Sequence, residues 1–363
     1  MPAKEFFIFW EETNMKKKIL SMLLAVSMVA VLLVGCGSSN DAADDAASDD
    51  AAATTEDTTD DAAEATETAE LLPGGGSNIL YVITPSTSNV YFKTIQDIAT
   101  TKGEELGYEV KCFSHDDDAA SQLELFEAAI ADGAAAIICD NAGADASIEA
   151  VQKAYDAGIP TFLVDREINQ SGLAAAQIVA DNAQGAAAIA EKWVEAMNYE
   201  GKYAELLGLE SDTNCQVRSE NFHSVIDQYD GFEMVAQQSA DWDQTKAYEK
   251  TESILQSNPE ITGIICGNDT MACGAVQACL DAGRDDIKII GLDGSDDAAA
   301  YIKSGNMVGT ALQQIAYITE LACQEADDYL NGTAPSEEKQ LIECVAITSD
   351  NVDNLSAFVY TEN

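Results

Sequence analysis

The chain has 363 residues, with 64 acidic against 18 basic side chains and a formal net charge of −46. This length accommodates one large or two medium domains with a full core, and 47% hydrophobic residues exclude disorder throughout. The charge argues against a nucleic-acid binder, which needs a basic face to meet phosphates.

The chain opens on segments that are not fold. Lys16–Lys18 form a basic cluster, and Ile19–Val34 an apolar run too short for a comfortable membrane span. Leu33-Val34-Gly35-Cys36 then resembles the lipobox of bacterial lipoproteins. That resemblance implies a signal peptide at 15–35 and a lipid on the Cys36 sulfur, a membrane tether without a transmembrane helix. Residues 1–14 do not belong before a signal peptide. Trp10-Glu11-Glu12 must be encoded by a purine-rich stretch resembling a ribosome-binding site, so Met15 is the expected start. Residues 41–70 hold twelve acidic and no basic side chains among Ala, Thr and one Ser. Such a segment repels itself and cannot bury apolar area, so residues 36–76 read as a lipidated Cys and an acidic disordered tether. Beyond residue 70 the chain still carries 49 acidic and 14 basic side chains.

From Asn78 onward, short apolar runs alternate with amphipathic stretches. Strands are expected at Ile79–Ile83, Glu109–Phe113, Ala135–Cys139 and Thr161–Val164, with helices at Ala119–Asp132 and Asp145–Ala157 between them. A spacing of roughly 25–30 residues is the size of a βα unit, and solid apolar runs are the signature of buried parallel strands. The rhythm resumes at Tyr203–Leu207, Glu233–Val235, Ile261–Cys266 and Ile287–Leu292.

The second series echoes the first. Ile137–Asn141 matches Ile264–Asn268 at an offset of 127, Ala150–Gly158 matches Ala275–Gly283 at 125, and Val164-Asp165 matches Leu292-Asp293 at 128. Ser88-Asn89 pairs with Thr213-Asn214. Four matches in order predict two similar α/β lobes. Ligands of open parallel sheets sit beyond the carboxyl ends of the strands. Asn89, Asp165, Asn268 and Asp293 stand there, and so share a cleft if the lobes face each other. The plain alternative for each is a helix N-cap or a turn, and Asn141 and Asn214 divide evenly between the two readings.

The residues then resemble the ribose-binding-protein-like sugar-binding proteins of bacterial ABC importers over roughly 78–363. Asn89-Val90-Tyr91-Phe92 is similar to the family's Asn-Pro-aromatic-aromatic turn, and Asp165-Arg166 to its Asp-Arg pair. Asp181-Asn182 resembles the entry into the second lobe, and Asp241-Trp242-Asp243 the family's Asp-Phe-Asp. Gly267–Ala272 and Gly291–Gly294 resemble two further turns, while Arg218 and Gln313 fall where ligand-contacting residues sit. The resemblance implies a ligand set of Asn89, Tyr91, Phe92, Asp165, Arg166, Arg218, Trp242, Asn268, Asp293 and Gln313. The chemistry suits a sugar. Aromatics cover its weakly apolar faces, carboxylates accept from hydroxyls, Arg donates in a planar fork, and Asn and Gln do both. Val90 in place of Pro, Tyr91 in place of Phe and Trp242 in place of a smaller ring predict a preference other than ribose.

Eight cysteines remain besides Cys36: Cys112, Cys139, Cys215, Cys266, Cys273, Cys279, Cys323 and Cys344. Their apolar neighbours predict mostly free, buried thiols. His115 and His223 are too few and too far apart for zinc and read as surface residues. No GxSxG, P-loop, HExxH or GxGxxG occurs. Asp165 and Asp293 could imitate a glycosidase pair, but neighbouring Arg groups are expected to hold them ionised, which suits binding better than proton donation. No enzyme, cofactor or metal is expected.

The sequence therefore predicts an α/β protein of two Rossmann-like doubly wound lobes joined by a three-segment hinge, the type I periplasmic binding protein architecture. The lobes are expected at 77–180 plus 314–341 and at 181–313 plus 342–363. The chain is expected to cross near Ala180–Asp181, Gln313–Gln314 and Gln340–Ile342. The implied function is a monomeric, membrane-tethered extracytoplasmic protein that delivers a monosaccharide or polyol to an ABC permease. The alternatives are a sensor that presents the sugar-bound form to a chemoreceptor or sensor kinase and, behind it, a secreted glycoside hydrolase.

Overall fold

The structure, a computed structural model, describes residues 71–362; Cys36, the signal peptide and most of the acidic tether lie outside them. The first sheet takes its strands from β1 (Ile79–Thr84), β2 (Glu109–Ser114), β3 (Ala136–Cys139), β4 (Thr161–Val164), β5 (Ala176–Ala180) and β11 (Lys339–Ile342). Its order is β11-β5-β4-β3-β1-β2, all parallel. The second takes β6 (Gly201–Leu207), β7 (Phe232–Ser239), β8 (Gly263–Cys266), β9 (Lys288–Asp293), β10 (Gly309–Leu312) and β12 (Val345–Thr348). Its order, β12-β10-β9-β8-β6-β7, repeats the first position for position, with only β12 antiparallel. The echo in the sequence is thus an echo in topology.

Helices cover both faces of each sheet. They are α1 (Val90–Glu105), α2 (Ala119–Ala131), α3 (Ile148–Asp156), α4 (Asn182–Ala196), α5 (Thr213–Ile226), α6 (Gln244–Ser257), α7 (Asp269–Asp281), α8 (Asp296–Ser304) and α9 (Ile315–Leu330). The two-residue period of β1 shows the consequence. Leu80 and Val82 pack in the core containing Tyr91, Ile95 and Ala99 of α1, while Tyr81 and Ile83 pack with Phe126 of α2 and Val151 of α3. A strand covered twice has no polar face, which is why these runs are solidly apolar.

Helix α3 starts at Ile148, three residues after the expected Asp145. Asp145 instead accepts a hydrogen bond from Asn169 Nδ2 at 2.8 Å, which holds the preceding residues as a turn. The chain passes between the sheets at Asp181, at Gln313–Gln314 and at Glu343–Cys344; Gln340–Ile342 still pair with β5. The crossings hold one another: Asp181 N–H donates to Ile342 O at 2.7 Å, and Gln314 Nε2 to Glu343 O at 2.9 Å. Beyond β12 lie a 3-10 turn, Val352–Asn354, and a small hairpin of β13 (Leu355–Ser356) and β14 (Val359–Tyr360).

Candidate functional site

The carboxyl ends of both sheets converge on one small, closed-down cavity. It is lined by all ten residues of the expected set, together with Asp212 and Asn214. Asn89 follows β1, Asp165 and Arg166 follow β4, Trp242 follows β7, Asn268 follows β8, and Gln313 follows β10, while Asp293 ends β9. Tyr91 and Phe92 project from the first turn of α1 and Arg218 from the second turn of α5. The N-cap reading also holds for two of them: Asn89 Oδ1 accepts from Tyr91 N–H at 3.0 Å, and Asn268 Oδ1 from Met271 N–H at 2.9 Å. Asn141 lies outside the lining; its Nδ2 donates to Arg166 O at 2.8 Å and shapes that turn.

The second-lobe wall is built around Arg218. Its Nε donates to Asn182 Oδ1 (2.9 Å) and its Nη1 to Gly267 O (2.9 Å) and Asp293 Oδ1 (3.2 Å). The guanidinium lies 5.3 Å from the centroid of the Trp242 ring, a cation–π distance. Trp242 stands on two glycines: a Cβ at Gly208 would come within 2.1 Å of the ring and one at Gly267 within 2.9 Å. Gln313 Nε2 donates to Asp293 Oδ1 at 2.8 Å. Among the described residues, the buried Trp242 Nε1 and Gln313 Oε1 have no hydrogen-bond partner. Unpaired buried polar atoms are costly, so two lining groups are left for something else to satisfy.

The first-lobe wall is built around Arg166, stacked 5.3 Å from the Phe92 ring. Its Nη1 donates to Asp117 Oδ1 at 2.7 Å and to Asn141 O at 3.0 Å. Its Nε lies 2.9 Å from Asp212 Oδ2, across the cleft, and 3.4 Å from Asp140 Oδ1. Asn214 Nδ2 reaches across as well, donating to Asp165 O at 3.1 Å, and Ala144 N–H donates to Ser211 O at 3.3 Å. The lobes are closed on each other. Tyr91 hydroxyl donates to Asp165 Oδ1 at 2.8 Å.

Burial governs the charges. It pushes the Asp293 carboxyl well above the usual range, opposed by Arg218 and reinforced by Asp269 and Asp165. Arg218 at 3.2 Å is the group that favours the ionised form of Asp293, as expected, and loss of water works against it. Asp140 and Asp212 are raised too, by burial first, with Arg166 opposing. Arg166 would be lowered by burial but is raised overall by Asp212, Asp140, Asp117 and Asp165, and stays charged.

His115 is not a surface residue. It is 1% exposed, accepts from Asp117 N–H at Nδ1 (3.1 Å), and so donates from Nε2 to Asp140 O (2.8 Å). Burial lowers its pKa. This neutral ring props the left-handed turn at Asp116 and Asp117 (φ 50° and 58°) that carries Asp117 to Arg166. His223 is half-buried between Glu205 (3.1 Å) and Asp227 (3.2 Å), and the hydrogen bond to Glu205 chiefly raises it to about 9.

Asp212 had no motif to announce it. A signal existed: it is the N-cap of α5, five residues after β6, as Asn89 is the N-cap of α1, five residues after β1. Matching by residue type paired Asn89 with Asn214 instead. Among the described residues no cluster of three or more His, Cys, Asp or Glu is arranged to hold a metal, and no helix is long and apolar enough to cross a membrane. The eight cysteines beyond Cys36 are free thiols, seven buried and Cys112 partly so.

The sequence model of the periplasmic binding protein domain matches residues 80–334. The chain belongs to the periplasmic binding protein family. Among its relatives is a D-apiose import binding protein of Actinobacillus succinogenes, 49% identical, with the match covering 78% of this chain and 92% of the relative. Another D-apiose import binding protein, from Paraburkholderia graminis, is 46% identical over 81% of this chain and 93% of its own. A solved ABC transporter periplasmic solute binding protein from Actinobacillus succinogenes, with bound D-allose, superposes with a TM-score of 0.72 at 28% identity, covering 76% of this chain and 99% of the other. These members of the family are binding proteins, and this chain, with its two-lobed fold, is one of them and not an enzyme.

Proposed function

We propose that the protein captures a small sugar, D-apiose first among candidates, between its lobes and delivers it to an ABC importer. The observation that carries this is the cavity itself. Three aromatic rings, two guanidiniums and buried carboxylates and amides come from both lobes, with Trp242 Nε1 and Gln313 Oε1 unpartnered. The ten lining residues expected from sequence are the ligand set, with Asp212 and Asn214 closing over it. The two D-apiose import relatives support the choice of sugar.

Calorimetric titration of residues 71–363 with D-apiose, D-ribose, D-allose and myo-inositol tests the reading. Binding of D-apiose in preference to the other three is expected; no heat with any of them refutes it. We further propose that the protein is monomeric, extracytoplasmic and anchored through lipid on Cys36. Cys36→Ser should then move it from the membrane to the soluble fraction of the native cell, and retention at the membrane refutes the anchor.

A further inference from the structure

The C-terminal hairpin belongs to neither large sheet. It is fastened to the second lobe. Ala357 N–H donates to Asp296 Oδ1 in the first turn of α8 (3.0 Å), Lys303 of α8 pairs with Asp353 (3.2 Å), and Val352 and Leu355 are buried. Its turn residues, Ala357 and Phe358, both hold left-handed backbone at φ 50° and 60°. Side chains other than glycine adopt that conformation at a cost, so the surroundings hold it in place.

What the turn delivers is the Phe358 ring, 3% exposed, to the edge of Tyr91: the centroids are 5.5 Å apart and the planes at 84°. Tyr91 belongs to the other lobe. It meets Phe92 in a second edge-to-face contact at 5.6 Å and 85°, and its hydroxyl sits on Asp165. The ring is thus clamped between an aromatic neighbour on its own helix and one from the far end of the chain. The contact with Phe358 joins the two lobes.

We propose that Phe358 is a positioning residue of the binding site. It is carried by a hairpin on the second lobe, fixes Tyr91 and through it Asp165, and clasps the closed form. Phe358 does not line the cavity, so it acts through Tyr91 and not by touching ligand. The proposal rests on reading the cavity as a sugar site, and the experiment separates the two.

Phe358→Ala and Phe358→Tyr are compared with the parent chain by titration with D-apiose and by small-angle scattering with and without it. Edge-to-face aromatic pairs have modest energies, so Phe358→Ala should weaken binding about three- to tenfold. It should also release ligand faster and enlarge the radius of gyration, while Phe358→Tyr, which keeps the ring, restores both. Unchanged affinity and scattering in a folded Phe358→Ala protein overturns the clasp, as does a loss that Phe358→Tyr fails to rescue. Absence of D-apiose binding by the parent chain overturns the choice of sugar; the clasp is then decided by scattering, where an unchanged radius in Phe358→Ala overturns it.

Discussion

Replacing Asp212 by Asn should weaken ligand binding strongly while leaving the fold intact. Asn keeps an oxygen to cap α5, where Asp212 accepts from Asn214 N–H at 2.9 Å, and removes only the charge that faces Arg166. The two side chains are each 3% exposed and 2.9 Å apart. Taking one partner from a buried pair costs about 3–5 kcal/mol. Arg166 keeps Asp117 at 2.7 Å and Asp140 at 3.4 Å, so the remaining charge is not left uncompensated and the loss falls below that range, to about 2–3 kcal/mol. The partners sit on different lobes, so the loss falls on the closed form and reduces the competent fraction. At 1.4 kcal/mol per tenfold this is a rise in Kd of about 30- to 100-fold. Calorimetry with D-apiose reads the affinity, and thermal melting without ligand reads the fold. A Kd within about threefold of the parent, or an equal loss of unliganded stability, refutes the reasoning.

Three further outcomes follow from the geometry. Gly208→Ala places a Cβ 2.1 Å from the Trp242 ring; it should abolish detectable sugar binding, and adding Trp242→Phe should recover it, whereas a tolerant Gly208→Ala refutes the packing. Asp140, Asp212, Asp269 and Asp293 all have carboxyls raised first by burial. A raised carboxyl stabilises fully below its unfolded value, near 4, and loses that stabilisation as pH rises through the folded value. His223, raised to about 9, has the same sign, and the buried His115, lowered, the opposite one. The urea midpoint should therefore be higher at pH 5 than at pH 8, and the reverse order refutes the balance. Burial raises the thiols of Cys139, Cys266, Cys273, Cys279, Cys323 and Cys344. These six should react with a thiol reagent only after unfolding, and fast labelling of any of them in the native protein refutes their placement.

What the sequence disclosed depended on whether a signal was local. β3 and β8, reading Ala-Ile-Ile-Cys and Gly-Ile-Ile-Cys, are buried throughout, and a run so apolar identifies itself. β5 reads Ala-Gln-Ile-Val-Ala and is buried as fully, but its Gln is satisfied there, accepting from the buried Ile168 N–H at 3.0 Å and donating to the partly buried Glu338 Oε1 at 2.9 Å. The lining residues could be found because their types and the ends of strands coincide. Asp212 could not, because its meaning lies in Arg166 of the other lobe. For Asp293 the sequence displays the neighbouring cation but not the depth of water excluded around the pair, which pulls the carboxyl the other way. His115 lies beside three aspartates, a polar string that reads as surface until Asp140 O is seen 2.8 Å away.

The chain's three passages between the sheets make each lobe a composite of distant stretches. The sixth strands of both sheets, β11 and β12, lie within the last 25 residues, and α9 comes just before them. A polypeptide emerging from its N-terminus can pair β1 to β5, but their edge stays open until β11 arrives more than 150 residues later. Neither lobe can therefore be excised by a single cut, and neither is finished until its sixth strand has been made.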